Sequence, residues 1–201
     1  MALTDFIPVI FFTIAAIILQ RDLYNKMSKG AFALFAVGTI DIICAGTAKA
    51  LYKLLYATGV CDFQVLNSMF FPLQSIGFLL AGIGIIAMVT HKQTENAAMA
   101  VAAPPVFSGT PIFVSFMVIG LGCICAALSV CAAKLKKPAL IALFILVFFC
   151  YLSMGYLSTK DFSGSYMNWV AQGVNFIGQG LLLFGVIRLH QAGLAGLMLN
   201  K

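Results

Sequence analysis

Asn168–Ile187 reads NWVAQGVNFIGQGLLLFGVI, apolar enough to lie in a bilayer, yet its first half carries Asn168, Gln172, Asn175 and Gln179. The spacing of four, three and four residues puts all four amides on one side of a helix. Facing lipid, such a stripe would leave its donors and acceptors unmet, so it turns toward other helices. Two roles fit it. Amides glue neighbouring helices through hydrogen bonds worth about 0.6–2 kcal/mol each, or they line a polar pathway. Four on one stripe exceed what glue between two helices requires, and Gly173, Gly178 and Gly180 let other backbones come close. An amide both donates and accepts, which suits a polar or zwitterionic solute, or a desolvated ion, better than proton transfer.

The rest of the chain makes the same demand for lipid. Of its 201 residues 62% are hydrophobic and 9% charged, with a mean hydropathy of +1.05. A soluble domain is about 25% charged, so the class is polytopic membrane protein. The start, MALTDFIPVIFFTIAAIILQRD, carries Asp5 where a signal peptide has a cation, and no small-residue cleavage site follows. It reads as a retained first span. The net charge of +6 fits loops beside anionic lipid. No basic stripe with interleaved aromatics points to nucleic acid. Cys123 and Cys125 form a C-x-C in a segment without His or carboxylate, so the cysteines read as small packing residues. No cofactor or metal is expected.

A spanning helix needs about 20 mostly apolar residues. Six segments qualify: 5–20, 31–58, 67–90, 111–133, 138–158 and 167–188. The longest connection, from His91 to Thr110, sits at the middle of the chain and invites a comparison of the halves. With Asn67 laid over Asn168, Ile76, Gly77, Leu80, Gly84 and Ile86 match Ile177, Gly178, Leu181, Gly185 and Ile187, and Gln74 meets Asn175. Asp62-Phe63 pairs with Asp161-Phe162, Tyr52 falls opposite Tyr151, and Pro8 and Pro111 each open a half. The match predicts an ancestral duplication; composition alone is the competing explanation.

Three spans per half is an odd number, so the second copy should insert upside down. The expected fold class is therefore an all-α membrane protein with six transmembrane helices as two inverted-topology three-helix repeats, residues 1–100 and 101–201. An even span count puts both termini on one side, taken as the cytoplasmic side of the cell membrane. On this topology Arg21, Lys26, Lys29, Lys92 and Lys160 oppose Lys49, Lys53, Lys134, Lys136, Lys137, Arg188 and Lys201. The two sets nearly balance, so the positive-inside rule gives no orientation.

Asp41 lies about 16 Å inside span two, near the bilayer centre. A carboxylate facing lipid there costs at least about 2.5–3.5 kcal/mol, so it should face the interior, as a coupling or cargo group or as an interhelical hydrogen-bonding one. Its aligned partner in span five is Leu140. Lys49 either snorkels to water or contacts an anion in a vestibule, and Lys53 reaches water. Asn67 and Gln74 form the span-three counterpart of the amide ladder and should face it. Pro72 falls near the start of span three, where a missing amide donor costs least.

Enzyme signatures are missing: no paired carboxylates, no HExxH, no G-x-S-x-G and no phosphate-cradling glycine loop. The expected function is transport or channel-like permeation of a small polar solute or ion between the repeats. Asp41, Lys49, Asn67, Gln74, Asn168, Gln172, Asn175 and Gln179 would bind it. The alternatives are a membrane-embedded substrate-binding subunit working with a separate motor, or a structural or sensory membrane protein. Expected partners are the lipid bilayer, the solute, and a second copy or a motor subunit.

Overall fold

The computed structural model describes residues 3–90, 110–157 and 165–198. The described residues form six long helices: α1 (Phe6–Leu23), α2 (Lys29–Ala57), α3 (Gln64–Thr90), α4 (Thr110–Lys134), α5 (Pro138–Leu157) and α6 (Ser165–Gln191). Each follows an expected segment. Five are long and apolar enough to cross a membrane; the apolar run of α5, Pro138–Met154, is shorter. Such a set is compatible with a multi-pass membrane protein. The 91–109 connection, Lys160 and the Asp161-Phe162 pair lie outside the described residues.

Local chemistry sets the helix ends. Ser28 starts α2 by accepting the Ala31 amide on its Oγ at 3.2 Å. Gly59, at φ +70°, ends it, with the Val60 amide folding back on the Leu55 carbonyl. Lys136, at φ +56°, takes the same left-handed position after α4, and the Lys137 amide reaches the Ala132 carbonyl. Pro138 then opens α5, where its missing N–H costs nothing.

Each helix packs on its neighbours in the chain, and α6 closes the ring on α1. Glycines permit the tightest approach. A Cβ at Gly82 would sit 2.5 Å from the Gly120 carbonyl, and one at Gly84 2.5 Å from that of Ala31, so α2, α3 and α4 touch backbone to backbone.

The contacts also fix helix direction, and here an expectation falls. Phe71 meets Phe113, and seven residues further along both helices Phe78 meets Gly120, so α3 and α4 run the same way. The Phe11 ring meets that of Phe176 and Asp22 bonds His190, so α1 and α6 are parallel too. Val9 against Gly46, with Gln20 bonded to Thr39, sets α2 antiparallel to α1. Gly178 against Cys150 and Gly185 against Phe144 set α5 antiparallel to α6. Helices α1, α3, α4 and α6 therefore point one way, α2 and α5 the other. The halves are not inverted. Counting spans assumed that every connection joins adjacent ends, but α3 finishes and α4 starts at opposite ends of the bundle. The 19 residues between them, extended, reach roughly 63 Å, against about 40 Å for the 27 residues of α3. For the same reason the start of α1 and the finish of α6 lie at opposite ends, not together.

Packing divides the bundle lengthwise. Leu23, Phe35, Ile85, Leu128, Phe144, Leu189 and Leu194, all fully buried, fill the end where α1 and α6 finish. The end where they begin is hollow. Around the outside Ile10, Ile17, Ile40, Ile119, Phe149, Ile177 and Phe184 are exposed. In water such surface would attract a partner or aggregate; in lipid it is at rest.

Candidate functional site

The hollow end holds a cavity of about 470 Å³, within the roughly 300–1,000 Å³ of small-molecule sites. The whole amide ladder lines it: Asn168, Gln172, Asn175 and Gln179 come from α6, and Asn67 and Gln74 from α3. Helix α6 turns its polar stripe inward because the rest of its surface, with Trp169, Phe176 and Ile177 about half exposed, is more apolar. The α3 and α6 ladders face each other across the ring rather than packing together. Lys49 also lines the cavity, its Nζ 3.9 Å from the centroid of the Phe70 ring. Seven of the eight candidate residues thus share one wall.

Asp41 is the exception. It sits partly exposed at the α2–α3 contact, beside Gly77 and outside the cavity lining. Ile42 takes the inward position next to it.

Two polar wall residues, Asp5 and Tyr151, were not site candidates in the sequence. Asp5, at the start of α1, forms an ion pair with Lys53 of α2, and only 8% of its side chain is exposed. The expectation that Lys53 simply reaches water misses this partner. Its signal was the hairpin register: the first residues of α1 oppose the last turns of α2. Tyr151, on α5, closes the deep end beside Gln179. Its alignment with Tyr52, itself on the wall, was the available hint. The buried Tyr151 hydroxyl lies against the Gln179 amide, and Gln179 Oε1 is a buried atom with no hydrogen-bond donor among the described residues. Leaving such an atom unmet costs about 1–3 kcal/mol.

The wall is graded. Near the opening stand Lys49, Lys53 and Asp5, and Asn67 is exposed there. Amides follow, then an aromatic floor in which the Phe78 ring meets both Phe12 and Tyr151 edge-on, at 6.3 and 5.9 Å. Pro72 lies inside α3, because that helix starts at Gln64 rather than Asn67. It removes the donor that the Ser68 carbonyl would receive, two residues before Gln74. Among the described residues no three His, Cys, Asp or Glu side chains gather to hold a metal ion. The arrangement can bind: it offers charge at one end and neutral donors and acceptors along its length. No family model matches the chain, and no curated protein or solved structure matches it either.

Proposed function

We propose that this is a protein of the cell membrane, built on six long helices, that takes a small polar solute into the cavity and passes it through the bundle. The observation that carries the reading is the pairing of wall positions. Asn67, Phe70, Phe71 and Gln74 of α3 line the cavity, and so do Asn168, Ala171, Gln172 and Asn175, the four residues 101 positions later in α6. Helix glue needs no such repetition around an open space.

The same pairing supports a duplication in parallel rather than inverted copies. Gly84 packs against Phe35 where Gly185 packs against Phe144, and Gly77 meets Asp41 where Gly178 meets Cys150. These contacts give Asp41 the counterpart Cys150 instead of Leu140. Parallel halves related by an axis along the membrane normal occur in transporters, which rock one half against the other. The closed end would open as the wet end shuts.

Charge orients the molecule. Among the described residues the helix directions gather Arg21, Lys26, Lys29, Lys134, Lys136, Lys137 and Arg188 at the packed end, against Lys49 and Lys53 at the cavity end. The positive-inside rule makes the packed end cytoplasmic and opens the cavity to the opposite side.

The blind floor also suits a substrate-capturing subunit that relies on a separate motor. Reconstitution separates the two. The purified protein alone should equilibrate a radiolabelled polar solute across vesicles, and Gln172→Leu with Asn175→Leu should abolish this without unfolding the protein. Binding without flux assigns the capturing role. Undiminished flux in the double variant removes the amide-lined path.

A further inference from the structure

The two ends of the cavity ask for different things, and the difference names a class of ligand. Among the described residues Asp5 is the one acidic group on the wall, and Lys53 holds it as an ion pair. Lys49 is left with a ring face and no carboxylate within ion-pair distance. Two ammonium groups and one carboxylate leave the wall one positive charge in excess. An unpaired charge in a low-dielectric site is costly, and a bound anion relieves it. A neutral solute leaves it in place, and a cation adds to it.

The far end is neutral. Gln179 and Tyr151, 5% and 6% exposed, stand side by side on the wall, and Gln179 Oε1 has no donor among the described residues. Gln179 Oε1 can only accept, so the ligand must bring a donor there. The Tyr151 hydroxyl can give as well as take.

The distance between the ends follows from α3. Lys49 sits over Phe70, and Tyr151 packs on Phe78. Eight residues of helix separate those two rings, about 12 Å. Less the reach of a hydrogen bond of about 3 Å at each end, roughly 6 Å remains between the ligand's terminal oxygens, the span of about four carbons extended or six partly bent. Between the ends Gln74, Gln172 and Asn175 supply alternating donors and acceptors.

We infer that the cavity binds a hydroxylated monoanion of about four to six carbons, its carboxylate on Lys49 and its distal hydroxyl on Gln179 and Tyr151. The inference rests on the cavity being a solute site. Gluconate, sorbitol and glucamine probe it, since they place an anion, a neutral group and a cation on similar open-chain, polyhydroxylated six-carbon frames, and hexanoate keeps the anion without the hydroxyls. Binding to the full-length protein in lipid nanodiscs, followed by calorimetry, should favour gluconate over the other three by about tenfold or more. Lys49→Gln should erase the preference for gluconate over sorbitol. Gln179→Leu, or Tyr151→Phe should the first fail to fold, should bring gluconate down toward hexanoate. Equal or tighter binding of sorbitol or glucamine overturns the anion assignment while the solute pathway stands. So does a gluconate preference that survives Lys49→Gln. If none of the four binds, the assignment falls, and vesicle flux alone then decides whether the pathway falls with it.

Discussion

Gly82 and Gly173 are the same residue type in two candidate spans, and the bundle treats them oppositely. At Gly82 an added Cβ would press into the Gly120 backbone, with the carbonyl 2.5 Å away and the α-carbon 2.7 Å away. Backbone cannot swing aside as a side-chain tip can, so α3 and α4 would have to separate. At Gly173 nothing lies within 4 Å of the added atom. There alanine only removes the conformational freedom that makes glycine a poor helix residue, worth roughly 1 kcal/mol. Gly82→Ala should therefore destabilise the protein by about 1–3 kcal/mol, and Gly173→Ala should leave it unchanged or slightly firmer. Thermal unfolding in one detergent reads both. Similar melting temperatures for the pair would show that α3 and α4 are not in backbone contact.

At the scale of a helix, α6 carries the clearest message in the chain. Its amide spacing was legible without coordinates because an apolar surrounding leaves polar residues one place to go, and all four reach the cavity. Helix identity and limits were legible for a similar reason, since length and hydropathy decide them in lipid. Asp41 was not legible. The cost of burying a carboxylate says that it avoids lipid, not which helix edge receives it. Asp5 and Tyr151 were missed because the first is a terminal residue, and a lone Tyr in an apolar run gives no periodic signal. The stripe makes a direct prediction. Single cysteines at Gln172 and Asn175, in a protein whose own cysteines are replaced by serine or alanine, should react with a water-soluble, membrane-impermeant methanethiosulfonate. A cysteine at Ile177, 54% exposed on the opposite face, should stay unlabelled, because lipid excludes the reagent. Labelling at Ile177 with none at Gln172 would reverse the helix and remove the cavity's main wall.

For the whole molecule the decisive quantity is the direction of α4 relative to α3. A sequence count cannot supply it, because it depends on where a connection lands rather than on what the spans contain. The inverted arrangement spreads the basic residues almost evenly between the two faces of the membrane. The parallel arrangement collects most of them beside the packed end, where Lys26 also bonds the Ala195 and Leu197 carbonyls and Asp22 bonds His190 at 2.7 Å. Natural membrane proteins concentrate Lys and Arg on the cytoplasmic side, so the charge distribution and the Phe71–Phe113 register favour the same topology independently. That topology has a consequence no inverted repeat shares. Epitopes placed ahead of Leu3 and behind Met198 should be reached from opposite sides of the membrane. The first should be open to antibody on intact cells, the second only after permeabilisation. If both need permeabilisation, the chain crosses an even number of times, α4 enters from the side where α3 leaves, and the shared cavity of α3 and α6 could not form at one end of the bundle. The epitope result thus tests the cavity through the topology it requires, without a ligand in hand.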